Sequence, residues 1–492
     1  MLDKAMHRHV SVLLLVCLSA PLWARSLKFH HREDSTKLPV TTSSAKARAL
    51  FERAMTDYEN LRVAQAMDGW RQAAKVDSNF AAARIWISFN SKDPAEQSAE
   101  LAKAKALRNR VSPGERLLIR WVEGVRENNY LAGIQAINDL VGQYPKDKRL
   151  LYLVGNWLVL QESYDQSLKF MQRALAIDPN YPAALNDLGY CYAFLRDYKN
   201  AVAAMERYVA SLPGEPNPND SYAEILRLSG DFEGALQHYR AALKIDPHFT
   251  FSQLGIGDTY ALMGDEENAR AEYAKAIAGA ESEADRIEFG MQSALTWVRE
   301  RKYPEADVAF SSIAAEAHAA GLAFHEAEIH RMMAQYQLDP KIALNHLDQA
   351  EKVLNAAGNV PRSDRDEERA RVLRWRVARS LDFGDEKTAQ QAFQQLEEMT
   401  NSSRSHMIQH AYHAAYGVLL MFEQKYAEAV EHLEEDHDNA FSMKMLAEAY
   451  TRTGATAEAH DVMKKLTATN IPTIEQALIV VPARQKVAVN SQ

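Results

Sequence analysis

The chain has 492 residues, 47% of them hydrophobic, 25% charged and 9% aromatic. This is an ordinary globular composition, and it excludes a disordered, collagen-like or many-span membrane protein. Lysine and arginine number 57 against 66 aspartates and glutamates, a formal net charge of −9. A mildly acidic chain gives no support for nucleic-acid binding, which needs a basic face for the phosphates. Glycine and proline are few, 20 and 16, and with little β-branched alternation the composition points to helices.

Residues 1–24 have the form of a secretory signal. Lys4 and Arg8 make a positive start, Val10 to Leu18 is a short apolar run, Pro21 breaks it, and Ala24 offers a small residue for cleavage. The run is too short for a membrane span, which takes about 20 residues. Export with cleavage is expected, and an uncleaved membrane anchor is the competing reading. Cys17 leaves with the signal, so Cys191 stands alone; no internal disulfide forms and Cys191 is expected as a small buried hydrophobe. Residues 25–44 are polar and aperiodic, a flexible linker. His30, His31 and Asp34 lie within it, with no fold to orient them on a metal.

From residue 45 onward a period governs the chain. Pro145, Pro179, Pro213 and Pro247 are each 34 residues apart. The same step links Gly155, Gly189, Ala223 and Gly257, and Ser167, Ala201, Ala235 and Ala269. Large residues keep register in Leu158, Tyr192, Leu226 and Tyr260, and in Met171, Met205, Tyr239 and Tyr273. One unit explains the columns. Leu185, Leu188, Gly189 and Tyr192 stripe one helix. Asp197 caps the next, whose stripe is Ala201, Met205 and Tyr208, and Pro213 ends it. Gly189 and Ala201 lack bulk, so the two backbones approach closely.

These columns resemble the tetratricopeptide repeat, a helix-turn-helix unit of 34 residues. The match is tight over 148–283 and looser over the rest of 45–473. There Ala306/Phe310, Ala343/Leu347, Ala389/Phe393, Ala429/Leu433 and Ala459/Met463 repeat the second-helix signature at irregular steps. Residues 112–115 form a capping box, yet Trp121 stands where a small residue belongs, so that pair must pack differently. The resemblance implies an all-α, right-handed superhelical solenoid of eleven or twelve antiparallel helix pairs. Its regular array is expected over 45–283, a degenerate array over 284–473 and a tail over 474–492, with joints near 279–287 and 357–366. Stacked pairs bury one another's apolar faces, so length does not count domains.

The resemblance further implies a concave groove lined by first helices. Carried onto this chain, the groove positions are Tyr152, Asn156, Asn186, Tyr190, Asp220, Glu224, Arg227 and Asp258. Asparagines suit an extended peptide backbone and tyrosines give contact area at small entropy cost. The basic residues of a chaperone-tail clamp are not at the matching sites. A protein or peptide partner is expected, with no nucleic acid, no cofactor and no stable membrane insertion once the signal is removed.

Two other constellations stand out. His406, His410 and His413 share one helix face, the basis of an alternative metal-binding or enzymatic reading, although three imidazoles on one straight helix rarely converge on an ion. His325 and His330 flank Glu326 but are five apart, which breaks the zinc-protease spacing. Residues 364–379 place acids before arginines, suiting the helix dipole; Arg371, Arg374 and Trp375 there could instead meet an anion. Nucleophile, phosphate-loop and dinucleotide motifs are absent from the sequence. The expected function is an exported, non-catalytic scaffold.

Overall fold

The computed structural model describes residues 37–358 and 360–490. The expected signal and the pair His30 and His31 lie outside them. From Ala45 to Thr467 the chain runs through twelve antiparallel helix pairs, the first Ala45–Glu59 with Val63–Val76 and the last Ala440–Thr453 with Thr456–Thr467. No strand occurs among the described residues. Each helix packs on its sequence neighbours, and the buried side chains fall into clusters that follow one another along the chain. This is the nearest-neighbour core expected of stacked repeats.

The local physics matches the sequence columns. Asp197, Asp231 and Asp265 each accept a backbone N–H of the second helix they start. Ser112 and Glu115 form the capping box. In the regular stretch Ser167 donates from its hydroxyl to the Gly155 carbonyl at 2.8 Å, so the two helices of that pair lie almost in backbone contact. Cys191 is fully buried.

The pair carrying Trp121 meets differently, as expected. Trp121 is buried, and the close approach has moved one turn on: a methyl group on Gly124 would lie 2.6 Å from the amide nitrogen of Gly133. The slip in period beyond residue 283 has an equally simple cause. Helices from Lys148 to Gly279 are 13–14 residues long, whereas Glu283–Arg299, Tyr303–Ala319, Pro340–Ala356, Glu386–Ser402 and His406–Phe422 have 17 and Arg362–Asp382 has 21. Added turns lengthen the repeat without changing the hairpin.

Both expected flanking segments are part of the fold where they are described. In the linker, the Leu38 amide donates to Asp147 at 2.7 Å, Thr41 bonds Glu115, and the Thr42 hydroxyl donates to Asp77 at 2.5 Å. Those three carboxylates sit at ends of different helices and hold the segment across them. Within 474–492, Ile474, Gln476, Ala477 and Val480 are buried, and the π-helical turn Gln476–Val480 packs on Glu283–Arg299. Apolar residues at 474, 477 and 480 share one face, which buries them.

A candidate binding chamber between the arrays

The expected groove residues come together, but as a hydrogen-bonded seam. Tyr152 is buried with its ring centroid 5.9 Å from Tyr58 and 5.6 Å from Tyr181. Asn156 and Asn186 both donate to Asp187, at 2.9 and 3.3 Å. The Tyr190 hydroxyl donates to Glu224 at 2.6 Å, and Glu224 accepts from Arg227 at 3.0 Å. Arg227 lies 3.7 Å from Asp258, which accepts from the Tyr273 hydroxyl at 2.8 Å. Asp220 accepts from Ser252 at 2.7 Å. Tyr152, Asn186, Arg227 and Asp258 are buried, whereas Asn156, Tyr190, Asp220 and Glu224 keep part of their surface. Burial drives the Asp187 carboxyl up to about 6 and Asp220 up to about 7. One end of the seam is closed by the first pair, where Tyr58 meets Tyr152 and Glu59 pairs with Lys148 at 2.9 Å.

An opening lies elsewhere. A chamber of about 500 Å³ is lined from the regular array by Glu162, Tyr164, Phe194, Arg196 and Tyr198. The later helices supply Arg331, Arg371, Arg374, Trp375, His410 and Asp436, and the non-helical stretch before residue 474 supplies Thr469 and Asn470. Its volume is that of a small-ligand or peptide pocket.

Three turn residues at one 34-residue step bring its walls together. Asn128, Glu162 and Arg196 each hold the left-handed backbone at the turn inside a helix pair, with φ of 56°, 56° and 62°. Glycine takes the same position at Gly230 and Gly264. Asn128 donates to Asp366 at 3.0 Å and accepts from Ser403 at 2.7 Å. Glu162 lies 3.6 Å from His410. Arg196 donates to the Lys465 carbonyl at 3.3 Å and to the Thr469 hydroxyl at 3.4 Å. Asn470 continues the contact, donating to the Leu228 carbonyl at 3.2 Å. Sequence reasoning missed these residues, although the loss of glycine from the turn column at 128, 162 and 196 was a visible signal.

In and behind the chamber wall the charges are ordered. Glu368, wholly buried, accepts from Arg331 at 2.5 Å and from Arg371 at 3.3 Å. Asp436 accepts from Arg374 at 2.9 Å and from Ser442 at 2.5 Å. Burial pushes both the Glu328 and Asp436 carboxyls upward. Burial pulls the His410 imidazole down, but Glu162 and Asp436 outweigh it and hold the group above its ordinary value.

The histidine row does not form a metal centre. His406 and His410 lie ring to ring, centroids 4.0 Å apart, while His413 turns to His432, Nδ1 to Nδ1 at 2.8 Å. His330 likewise meets His346, and His325 faces Glu288. Among the described residues no group of three or more His, Cys, Asp or Glu side chains is placed to hold an ion. Two imidazoles one turn apart on a helix can share an ion, but three at 406, 410 and 413 on one straight helix do not converge on a single point. No helix among the described residues is long and apolar enough to cross a membrane.

Comparison with known families gives matches to the tetratricopeptide repeat over residues 158–225, 220–249 and 252–278. This is a tetratricopeptide-repeat protein. The matched repeats are those with the strict period, and residues within 158–225 line one wall of the chamber. No curated protein sequence matches the chain. Among solved structures, a thermophilic tetratricopeptide-repeat protein of Thermus thermophilus is 20% identical over 41% of this chain and 98% of its own, with a TM-score of 0.32. A tetratricopeptide-repeat protein of Parabacteroides merdae is 12% identical over 62% of this chain and 99% of its own, with a TM-score of 0.36. PilF of Pseudomonas aeruginosa is 16% identical over 53% and 94%, with a TM-score of 0.28.

Proposed function

We propose that this protein is an exported, non-catalytic scaffold that holds a protein or peptide partner along the first-helix row of its regular repeats. The observation that carries this reading is the row itself. Asn156, Tyr190, Asp220 and Glu224 keep exposed surface, while Asn186, Arg227 and Asp258 stand behind them as buried hydrogen-bonding supports. Tyr152 anchors the end of the row. Polar side chains held in place by a second layer lose little entropy when they bind, which favours recognition. Export rests on the apolar run at residues 10–18 and the small residue Ala24; N-terminal sequencing of the protein from cells tests it, with a start near residue 25 expected.

The binding reading is tested by a photo-crosslinking side chain placed at position 190 and, separately, at the exposed Val308. A discrete adduct with one protein of the exported fraction, formed from position 190 alone, is expected. The same adduct from both positions, or none from 190, would sink the assignment.

A further inference from the structure

Ten of the twelve histidines beyond residue 31 lie between 318 and 460, outside the strictly periodic repeats. Four of them form two matched pairs. The Nδ1 atoms of His330 and His346 face each other at 3.2 Å, and those of His413 and His432 at 2.8 Å. In both pairs the rings are half-buried and their planes lie 29° apart. Each pair bridges the two helices of one hairpin, Ala323–Tyr336 with Pro340–Ala356 and His406–Phe422 with Tyr426–Leu433. The register is the same in both. His330 and His413 stand four residues before the small Ala334 and Gly417, and His346 and His432 stand one residue before Leu347 and Leu433. In the regular array Asn219, four before Ala223, and His238, one before Tyr239, hold that place, with Oδ1 3.0 Å from Nδ1. Two imidazole Nδ1 atoms at hydrogen-bond distance hold one hydrogen between them, one ring donating and the other accepting. A pair that gains one proton on an outer nitrogen keeps that bond. A second added proton sets two N–H groups and two positive charges head to head, and the bond is lost. The Asn219 amide oxygen imposes no such limit, because His238 can donate to it whether neutral or charged.

We propose that the two imidazole pairs are a proton switch in the later helices: each fastens its hairpin while it shares one hydrogen, and opens it when both rings are charged. The groups that act on the pairs are few. On the first these are Glu326, on the helix of His330, and Asp307, from Tyr303–Ala319. Both are engaged, Glu326 with His318 at 3.0 Å and Asp307 with the Tyr336 hydroxyl at 2.8 Å. On the second they are His410, on the helix of His413, and Glu428, Glu431 and Glu435, on the helix of His432 and the turn after it. The other helices packed against these hairpins direct their charges elsewhere. Glu288 faces His325, Arg376 meets Asp348 and Glu351, Arg374 meets Asp436, Glu397 acts on Tyr412, and Arg452 meets Glu448. Burial outweighs the facing carboxylates and holds all four imidazoles below their ordinary value, His413 at about 4. A lowered folded value gives a contribution that is complete above about 6.5 and is lost as pH falls through the folded value, so the switch works between about 6.5 and 4. His410 behaves oppositely. Glu162 and Asp436 hold it above its ordinary value, so its contact with the regular repeats survives the same fall in pH. The switch does not depend on the scaffold reading above.

The test measures amide exchange of the full chain at about pH 7.5 and pH 5, corrected for the intrinsic chemistry of exchange. It compares the parent with the double variant His330→Asn/His413→Asn, which copies the Asn219–His238 arrangement into both hairpins. In the parent, exchange over 323–356 and 406–433 is expected to speed about tenfold at the lower pH, the factor for one unit of lowered pKa. In the variant the same segments are expected to speed by less than about twofold on that scale, and the hairpin 217–245 is expected to respond alike in both proteins. Equal acceleration in parent and variant, or none in the parent, overturns the proposal. If the double variant fails to fold, the imidazole nitrogen resonances of the parent decide. One Nδ1–H and one bare Nδ1 in each pair are expected at neutral pH, with the last protonation of each pair below about 5. Four rings that titrate independently near their ordinary value overturn the switch.

Discussion

At the scale of single residues, three glycines show how the same residue type does different work. A methyl group on Gly155 would meet the terminal carbon of Met171 at 2.6 Å, and one on Gly189 would meet the end of Met205. A methionine end can swing aside. At Gly124 the obstacle is backbone, the Gly133 amide at 2.6 Å and the Asn129 carbonyl at 2.9 Å. Alanine gains about 1 kcal/mol of helix propensity over glycine, which roughly cancels the crowding at Gly189. Gly189→Ala is therefore expected within about 1 kcal/mol of the parent, and Gly124→Ala to lose about 2 kcal/mol or more by overpacking, read from urea midpoints at unchanged slope. A second prediction concerns Asp220, whose carboxyl burial raises from 3.8 to about 7. A raised folded pKa means that the native state holds the proton more tightly, so this contribution is fully present below about 4 and is lost as pH rises through about 7. Asp220→Asn imitates the protonated acid and can still accept from Ser252. It is expected to raise Tm relative to the parent at pH 8 and to match it near pH 4. His406 and His413, both driven to about 4 chiefly by burial, have the opposite sign: their contribution is present above about 6.5 and is lost as pH falls through about 4. They are common to both proteins, and the difference between the two curves removes them.

At the scale of the element, the turn inside each helix pair is the informative part. A non-glycine residue in the left-handed region costs roughly 1 kcal/mol. The chain accepts that cost at Asn128, Glu162 and Arg196, where the side chain reaches the later helices. It also accepts it at the exposed Arg301 and Gln424; nothing in the structure explains those two. Gln424→Gly should accordingly stabilise the protein by roughly 0.5–1 kcal/mol. Glycine at 128, 162 and 196 together relieves the same strain but removes the fastening. The expected result is unchanged helical dichroism with faster amide exchange over 403–422 and 465–476, while Gln424→Gly leaves exchange there unaltered. Exchange unaffected in the triple variant would show that the three turns fasten nothing.

At the scale of the whole molecule, described residues 37–358 and 360–490 lie in one compact unit, Thr36–Gln492, because distant parts of the chain are tied together. Arg126 meets Asp364 at 3.3 Å, Lys92 meets Asp285, and Arg62 bonds Glu215. The end of the chain completes this. Gln476 accepts from Arg299, and Ile474 and Ala477 join the cluster built on Leu295, Phe310 and Tyr336. Ending the chain at residue 468 would expose that cluster and leave the buried Arg299 without its acceptor. The loss is expected to exceed about 3 kcal/mol from apolar burial alone, seen as a lower Tm and as new protease sites within 283–336. A truncated chain that melts with the parent would refute this account of the last residues.

The sequence by itself determined the hairpin. The columns at Gly155/Ser167 and Gly189/Ala201 were legible because each pair packs on its immediate neighbours, and contacts close along the chain leave a period. Even the exception at Trp121 carried its own answer in Gly124 and Gly133. Which polar first-helix residues stay exposed, how His406, His410 and His413 part company, and where the chamber lies were decided only in three dimensions. The first two depend on side chains of neighbouring helices, such as Tyr190 with Glu224 or His413 with His432, and the chamber on residues hundreds apart, such as Asn128 with Ser403 or Asn470 with Leu228. No period or spacing records a contact that the superhelix makes once.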